Sequence, residues 1–550
     1  MSEPIDLDCE EQHADVERGR AEGLAPVVPP ATVEAELQVQ YAHLKLREQG
    51  LVQALHARLD KEQKAALHGI LVIGKHVTMI NGPGGTGKSD LLKIAVLVLK
   101  GKVGILTPTQ GARRADQKTV DGVLPRKSFK PELEVKTTYT GFGIGFKDKW
   151  KVESVIDPIR RKVASKAKAA DTYTKEVLVV DEAAQTPCVQ LDTAEAVGAR
   201  LNGVARRWVL LMDGVQTPPV GASEQMIWES ELVRAAEAEG ELAVYTLERV
   251  YRTNDADLLA LGAALRNEEY DEVIGLMQTY ETTVADDSFV DIVHDNAETY
   301  EIARAKHGQK PGVQTVHARC DAGGPDGDVG AWAPELLRRV REVTKLPLEM
   351  HVYPGQQLLY EPIGSAGART DGGWYLGKGE LMAAVGYSTE TKQLRVRCPN
   401  LNGALAWVSE EAANVDLTEA SDGEYGVVTL RGPPWRYADI LTVYSGQGSQ
   451  FKNVHVHLGR FKGRRNLVYT AVTRAMEKLK ISGIALDDGG CDVRDKCELH
   501  PKSVLWQARL GAGSFSAARL AQARLEVGQE GGGARRLAPR VNRGRPRAGG

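Results

Sequence analysis

At 550 residues, 42% apolar and 26% charged, the chain has an ordinary globular composition and too much length for one core, so about two to four domains are expected. No run approaches the ~18 apolar residues of a membrane span, the acidic start MSEPIDLDCEEQHADVERG lacks the apolar centre of a secretory signal, and six scattered cysteines suit a reducing interior, so a soluble intracellular protein is expected. The net charge of -3 excludes a globally basic nucleic-acid binder but averages acidic and basic segments, so charge is read locally.

Residues 1–31 are acidic, close on Ala25-Pro26-Val27-Val28-Pro29-Pro30 and have a disordered composition. From Thr32 to about Ala57 the pattern is helical. Thr32 is the candidate N-cap, with Glu34 and Glu36 as first-turn negative charge; Ala35, three residues on, leaves no capping box. The amphipathic Leu59–Leu67 follows. Its Gln63 is either helix surface or a side chain whose amide uses both groups on an adenine edge.

The run Ile70–Ile80, broken chiefly by Gly74-Lys75-His76, reads as a buried strand with its lead-in. It enters Gly82-Pro83-Gly84-Gly85-Thr86-Gly87-Lys88-Ser89, after which Leu91, Leu92, Ile94, Ala95 and Val98 fall at helix-face spacing. Strand, G-x-x-x-x-G-K-S, helix is a phosphate-binding loop in its structural context. Gly82, Gly84, Gly85 and Gly87 allow the loop, Thr86 included, to curl its N–H groups around a phosphate. The helix N-terminus adds partial positive charge. Lys88 reaches the β- and γ-phosphates of ATP, and Ser89 ligates Mg²⁺.

Val103–Leu106 is a strand ending in the turn Thr107-Pro108-Thr109, and Lys136–Phe142, with Thr138, Tyr139 and Thr140, reads as a second polar-aromatic loop. Ligands of open α/β sheets bind beyond the carboxyl ends of the strands, so both loops are expected on one edge. Lys147–Lys168 is locally basic around Trp150, which suits a solvated helix or a nucleic-acid contact equally. The strand Val177–Val180 delivers Asp181 and Glu182. An acidic pair there, downstream of such a loop, holds Mg²⁺ through Asp181 and deprotonates the attacking water through Glu182. Trp208–Met212 is another strand, after which Gln216 stands where a neutral side chain senses the γ-phosphate or the water. Arg252, ahead of a helix at Asp255–Arg266, is a candidate phosphate partner.

Asp321–Asp328 reads as a loop. Between Leu346 and about Val415, alternation and Gly-rich turns suggest a small antiparallel β module inserted in an α/β domain. The segment Ile440–Phe451, the strand Val454–Leu458 and a helix through Asn466–Ala475 follow, and Arg474 on that helix is a surface residue or an arginine finger placed across a domain cleft. Cys491, Cys497 and His500 lack zinc-site spacing. The tail Gly531–Gly550 is Gly/Arg/Pro-rich, with a disordered composition. In it, Asn542–Arg547 resembles the R-G-R-P core of an AT-hook, which would place its arginines in A·T-rich minor grooves; a plain basic tail or a nuclear-import signal in a eukaryotic host fits the same residues.

The order of these motifs resembles superfamily 1 helicases, and within them the RecD/PIF-type 1B group, over about Leu59–Gly483. GPGGTGKS resembles motif I, TPT at 107–109 motif Ia, TTYTGFGIG the segment usually written TTIHSFLGIG, DEAAQ motif II, MDGVQTPPVG motif III, LERVYRTND motif IV, TVYSGQGSQF motif V and VYTAVTRA motif VI. Met212 departs from the usual glycine of motif III, and Tyr444, Ser445 and Gly446 depart from motif V. DEAAQ is also similar to the helicases of nonsense-mediated decay. The resemblance implies an α/β fold of two tandem RecA-like domains with parallel sheets and ATP between them: 32–240, with an insertion at about 146–172, and 241–484, with the β-rich insertion at about 346–415, then a C-terminal extension at 485–550. It implies an ATP-dependent helicase moving 5′ to 3′ along single strands and unwinding duplexes, with DNA as the first reading and an RNA helicase as an alternative, and with Pro108, Thr109, Thr138, Tyr139, Thr140, Thr442 and Tyr444 along the nucleic acid. A nucleic-acid-binding scaffold without unwinding is the competing reading.

Overall fold

The computed structural model describes residues 28–124, 133–143, 171–202, 206–217, 219, 227–282, 289–294, 298, 302, 306, 349–352, 357–360, 368–369, 375–376, 380–388, 393–398, 404–408, 414–418, 427–431, 435–458, 461 and 465–484. The acidic N-terminal segment, almost all of the basic 146–172 segment, the 321–328 loop, the Cys491/Cys497/His500 group and the AT-hook-like tail lie outside them.

The chain opens with helices α1 (Pro30–Tyr41), α2 (Leu46–His56) and α3 (Lys61–His68). The single helix expected over 32–57 is therefore two, with a break at residues 42–45. The start also differs. Pro30 takes the first helical position, where its missing N–H costs nothing, and Thr32 lies inside the first turn. Glu34 and Glu36 then fall beyond the first turn and pair with other helices instead: Glu34 with His56 (2.9 Å) and Lys64 (3.0 Å), Glu36 with His68 (2.5 Å).

Next come β1 (Val77–Asn81), α4 (Lys88–Leu99), β2 (Val103–Thr107), α5 (Gln110–Asp121), β3 (Lys136–Thr137), α6 (Thr138–Phe142), β4 (Val177–Val180), α7 (Cys188–Asn202), β5 (Arg207–Met212), α8 (Glu231–Ala238) and β6 (Leu242–Thr246). The six strands pair in parallel in the order β3-β2-β4-β5-β1-β6. Every residue of β1, β2 and β4 is buried, because a parallel sheet is covered on both faces. Strand alternation divides the core in two. Ile80, Ile105, Val179, Val209 and Leu211 pack with α1 to α4, while Met79, Leu178, Val180, Trp208 and Leu210 pack with α7 and α8. The 136–142 segment, expected as a loop, makes β3 and the short α6, because Thr137 caps Thr140 N through its hydroxyl (3.3 Å).

The chain then forms α9 (Ala256–Asn267), α10 (Tyr270–Thr279) and β7 (Val290–Val293). An antiparallel block follows: β8 (Glu349–Val352), β9 (Gln357–Tyr360), β10 (Ala368–Arg369), β11 (Tyr375–Leu376), β12 (Glu380–Ser388), β13 (Gln393–Cys398), β14 (Ala404–Val408), β15 (Asn414–Thr418), β16 (Val427–Arg431) and β17 (Trp435–Tyr437). It runs on past 415 because its exit strands pair with its entry strands, β16 with β8 and β17 with β9. The main chain resumes with β18 (Ile440–Thr442), β19 (Phe451–His457), α11 (Arg465–Val472) and β20 (Ala475–Ser482), and a second parallel sheet forms in the order β18-β7-β19-β20. Its strands come from both sides of the block in sequence, so the block is an insertion. The fold is α/β with two parallel sheets. No helix among the described residues is long and apolar enough to cross a membrane.

Candidate active site

The glycine loop leaves β1 and ends at the N-terminus of α4. Gly85 (φ 93°) and Gly87 (φ 84°) hold the left-handed conformations that the turn requires. Gly84 and Gly85 both lie against Arg252, whose guanidinium would be 2.8 Å from a Cβ on Gly84. Lys88 folds back over the loop and donates to Gly82 O (2.6 Å) and Pro83 O (3.0 Å). Burial lowers its pKa, and Asp213, Glu182 and Asp181 oppose that shift.

Gln63 sits behind the loop. It caps α3 reciprocally with Asp60, its Oε1 accepting from Asp60 N (2.9 Å), and its Nε2 donates to Thr86 O (2.8 Å). As placed, both amide groups tie α3 to the loop. Tyr251 stands nearby, 45% exposed. Its N–H donates to Gly85 O (2.8 Å), its hydroxyl to Asp60 (2.6 Å), and Arg249 lies 5.0 Å over its ring. Sequence reasoning passed over Tyr251, although it adjoins Arg252.

Asp181 and Glu182 leave β4, and Glu182 adopts φ 52°, a left-handed conformation uncommon for a residue with a Cβ. Burial raises the pKa of Asp181 against the pull of Lys88, and burial followed by Asp181 raises that of Glu182. Asp116 on α5, which nothing in the sequence singled out, hydrogen-bonds Asp181, and burial with that neighbour pushes its carboxyl well above the usual range. Asp116 and Asp181 thus form a buried acidic pair beside the glycine loop. The donors fit a divalent cation, because two buried carboxylates and the Ser89 hydroxyl line the same cleft and offer hard oxygen ligands.

Gln216 lies between the halves. With its amide turned to satisfy both neighbours, it donates to Glu182 Oε2 (3.1 Å) and accepts from Arg474 (3.3 Å). Arg474 follows the last residue of α11 by two positions rather than lying within it, and is 2% exposed. Arg252 donates to Thr473 O (2.8 Å), and burial, then repulsion from Arg474, lowers its pKa to about 10. The glycine loop, Asp116, Asp181, Glu182, Gln216, Tyr251 and Arg252 line one cleft of about 330 Å³. A larger cavity of about 590 Å³ lies between the 246–253 segment and α9. It touches neither Lys88 nor the acidic pair, so we take the smaller one as the site.

Behind Gln216, Asp213 is enclosed. Arg266 of α9 pairs with it at 2.7 Å and the Tyr469 hydroxyl of α11 donates to it at 2.8 Å. Sequence reasoning passed over Arg266 and Tyr469, which lie far from Asp213 in the chain. Arg266→Ala is expected to cost about 3–5 kcal/mol, since it leaves a buried carboxylate without its counter-ion; an unchanged denaturation midpoint would reject that. Met212, the motif III departure, buries its side chain in the core on the α7 and α8 side, and its carbonyl accepts from Gly82 N of the glycine loop (3.0 Å).

Pro108, Thr109, Thr138, Tyr139 and Thr140 stand at adjoining strand ends of the first sheet, where Thr107 pairs with Thr137. Thr109 caps α5 (3.2 Å), and Thr138 is buried while Thr140 is exposed. Thr442 and half-buried Tyr444 stand at the end of β18, with Thr442 accepting from Ser445 N (3.1 Å). The segments that follow Thr109 and Tyr444 approach each other: Gly448 (φ 73°) is so close to α5 that a Cβ there would lie 2.8 Å from Ala112 N.

Residues 58–284 match the family model for an AAA domain, and residues 437–481 match the UvrD-like helicase C-terminal domain. No curated protein is similar to the chain in sequence. Among solved structures, it is similar to the Pif1 helicase of Candida albicans (17% identity, TM-score 0.55, covering 82% of this chain and 99% of that one). It is also similar to Bacteroides Pif1 bound to ssDNA (15% identity, TM-score 0.52, covering 82% and 96%). At these identities the likeness establishes the fold.

Proposed function

We propose that this chain is a superfamily 1B helicase of the RecD/PIF type, an ATP-hydrolysing enzyme that translocates 5′ to 3′ on single-stranded DNA and unwinds duplexes. One observation carries the reading: groups suited to phosphoryl transfer, supplied by both parallel sheets, converge on one cleft through Glu182, Gln216 and Arg474. We assign the chain from residue 32 through β6 to the first RecA-like domain and the rest, to residue 484, to the second; the expected boundary at 240 moves past β6 because that strand pairs with β1.

In this reading Lys88 leaves the loop carbonyls for the β- and γ-phosphates, with Arg252 and Arg474 facing the γ-phosphate. Ser89 and Asp181 would hold Mg²⁺, which when bound supplies positive charge against the phosphate oxygens. Glu182 takes the proton of the attacking water, and Gln216, bonded to both Glu182 and Arg474, orients that water. Tyr251 offers an exposed aromatic face for the base. Loss of the γ-phosphate removes the charge that draws Arg474 toward the first domain, so the cleft opens. Thr442 and Tyr444 then shift along the strand relative to Pro108, Thr109 and 138–140. Backbone contacts and stacking suffice for this movement, and Bacteroides Pif1 has been captured on ssDNA.

The test is ATPase activity with and without single-stranded DNA or RNA, followed by displacement from 5′- and 3′-tailed duplexes. DNA stimulation with 5′-tailed unwinding is expected, and hydrolysis unaffected by either nucleic acid would reject the proposal. Glu182→Gln is expected to lower kcat by roughly 10²–10⁴-fold while still binding ATP. Weak nucleotide binding by that variant would show that Glu182 has a different role.

A further inference from the structure

On the second sheet, away from the cleft, Asp291 of β7 and His455 and His457 of β19 turn to the face opposite the apolar cluster of Ile292, Val454 and Val456. His455 Nδ1 and His457 Nε2 both face Asp291 Oδ1, at 3.2 and 2.8 Å. The other nitrogens, His455 Nε2 and His457 Nδ1, both face Ser482 Oγ of β20, at 3.1 and 3.2 Å. A neutral imidazole has one hydrogen and a serine hydroxyl has one. Four short contacts therefore share three hydrogens, and one of them sets lone pair against lone pair unless a cation intervenes.

Lys306 holds the far oxygen of Asp291 (2.9 Å) and also reaches Asp439 (3.3 Å). It thus occupies that oxygen and leaves Oδ1 to the two imidazoles.

We propose that Asp291, His455 and His457 form a binding site for a divalent transition-metal ion of the Zn²⁺ class. Its three ligand atoms lie within 4.8 Å of one another. When both imidazoles donate to Ser482, their remaining lone pairs converge on Asp291 Oδ1, which gives two nitrogens and one carboxylate oxygen, with water completing a tetrahedron. Ser482 is then the outer partner that fixes both tautomers. His455 and Asp291 are buried, and His457, 16% exposed, is the side from which the ion enters. A bound ion ties β19 to β7, whose other neighbour, β18, leads into Thr442 and Tyr444.

The full chain, free of any histidine tag, is stripped with EDTA, exchanged into buffer and titrated with Zn²⁺ by calorimetry, with Co²⁺ as the spectroscopic probe. Zn²⁺ is expected to bind and raise the melting temperature, and Co²⁺ to give ligand-field bands without thiolate charge transfer. Ser482→Ala is expected to weaken binding roughly 10–100-fold, and His457→Gln, which removes a ligand, by more than that. His457→Gln keeps a polar side chain, and its basal ATPase, in which His457 takes no part, reports that it is folded. The proposal is overturned if wild type takes up no Zn²⁺, if both proteins take it up equally, or if the Co²⁺ spectrum is that of thiolate; a proton then bridges Asp291 and the imidazoles.

Discussion

Lys88→Ala is expected to reduce ATP hydrolysis to background while leaving the fold intact. The lysine ammonium is enclosed beneath the glycine loop and donates to the carbonyls of Gly82 and Pro83. Burial works against its charge, and Asp213, Glu182 and Asp181 sustain it. In the proposed mechanism that charge serves the phosphates. The alanine leaves two carbonyls facing a cleft that admits water, and the buried face of α4, from Leu91 to Val98, still anchors the loop. Turnover and far-UV circular dichroism on the same preparation check this. Near-normal turnover by a folded variant would sink the mechanism.

Arg474→Ala is expected to lower kcat on the order of 10³-fold or more, the effect of removing an arginine finger. Single-strand binding without nucleotide is expected to change far less. The structure adds a complication that the sequence did not suggest. Arg474 is held from several sides, by Thr470 O (3.0 Å), Ser449 O (3.3 Å) and Thr473 Oγ1 (3.4 Å), besides Gln216. Two of these bonds end on the backbone, so the alanine also loosens the 442–450 loop. Arg474→Lys separates the two effects. It keeps the charge but loses the planar fork, and is expected to hold the loop better than alanine while recovering only part of kcat. Equal losses of hydrolysis and strand binding in both variants would identify a structural or strand-contacting arginine.

The glycine loop and the strands around it were legible in the sequence because their signals are local. GPGGTGKS needs its glycines at fixed positions for positive φ. A strand buried on both faces is an apolar run whatever surrounds it. Asp181 and Glu182 follow such a run directly, and the β-rich insertion announced itself by alternation and turns. The parts that were missed depend on residues distant in the chain. Glu34 and Glu36 looked like first-turn charges, but His56, Lys64 and His68 claim them. Thr32 looked like a cap, but Pro30 starts the helix a little earlier.

By itself, then, the sequence determined the α/β class, the phosphate-binding loop and the acidic pair, because each is written in one contiguous stretch whose conformation follows from its own residues. Only the tertiary structure decided which groups meet. Asp116 meets Asp181 because β2 and β4 are neighbours and α5 leaves β2. Asp213 pairs with Arg266 and Tyr469 because the two parallel sheets face each other across the cleft. Asp291 meets His455, His457 and Ser482 because β7, β19 and β20 lie side by side, separated in the chain by an insertion that closes on itself. Pairing of parallel strands is non-local: hydrogen bonding and burial choose among registers and neighbours only once the sheet is assembled, and no single stretch of this chain carries that information.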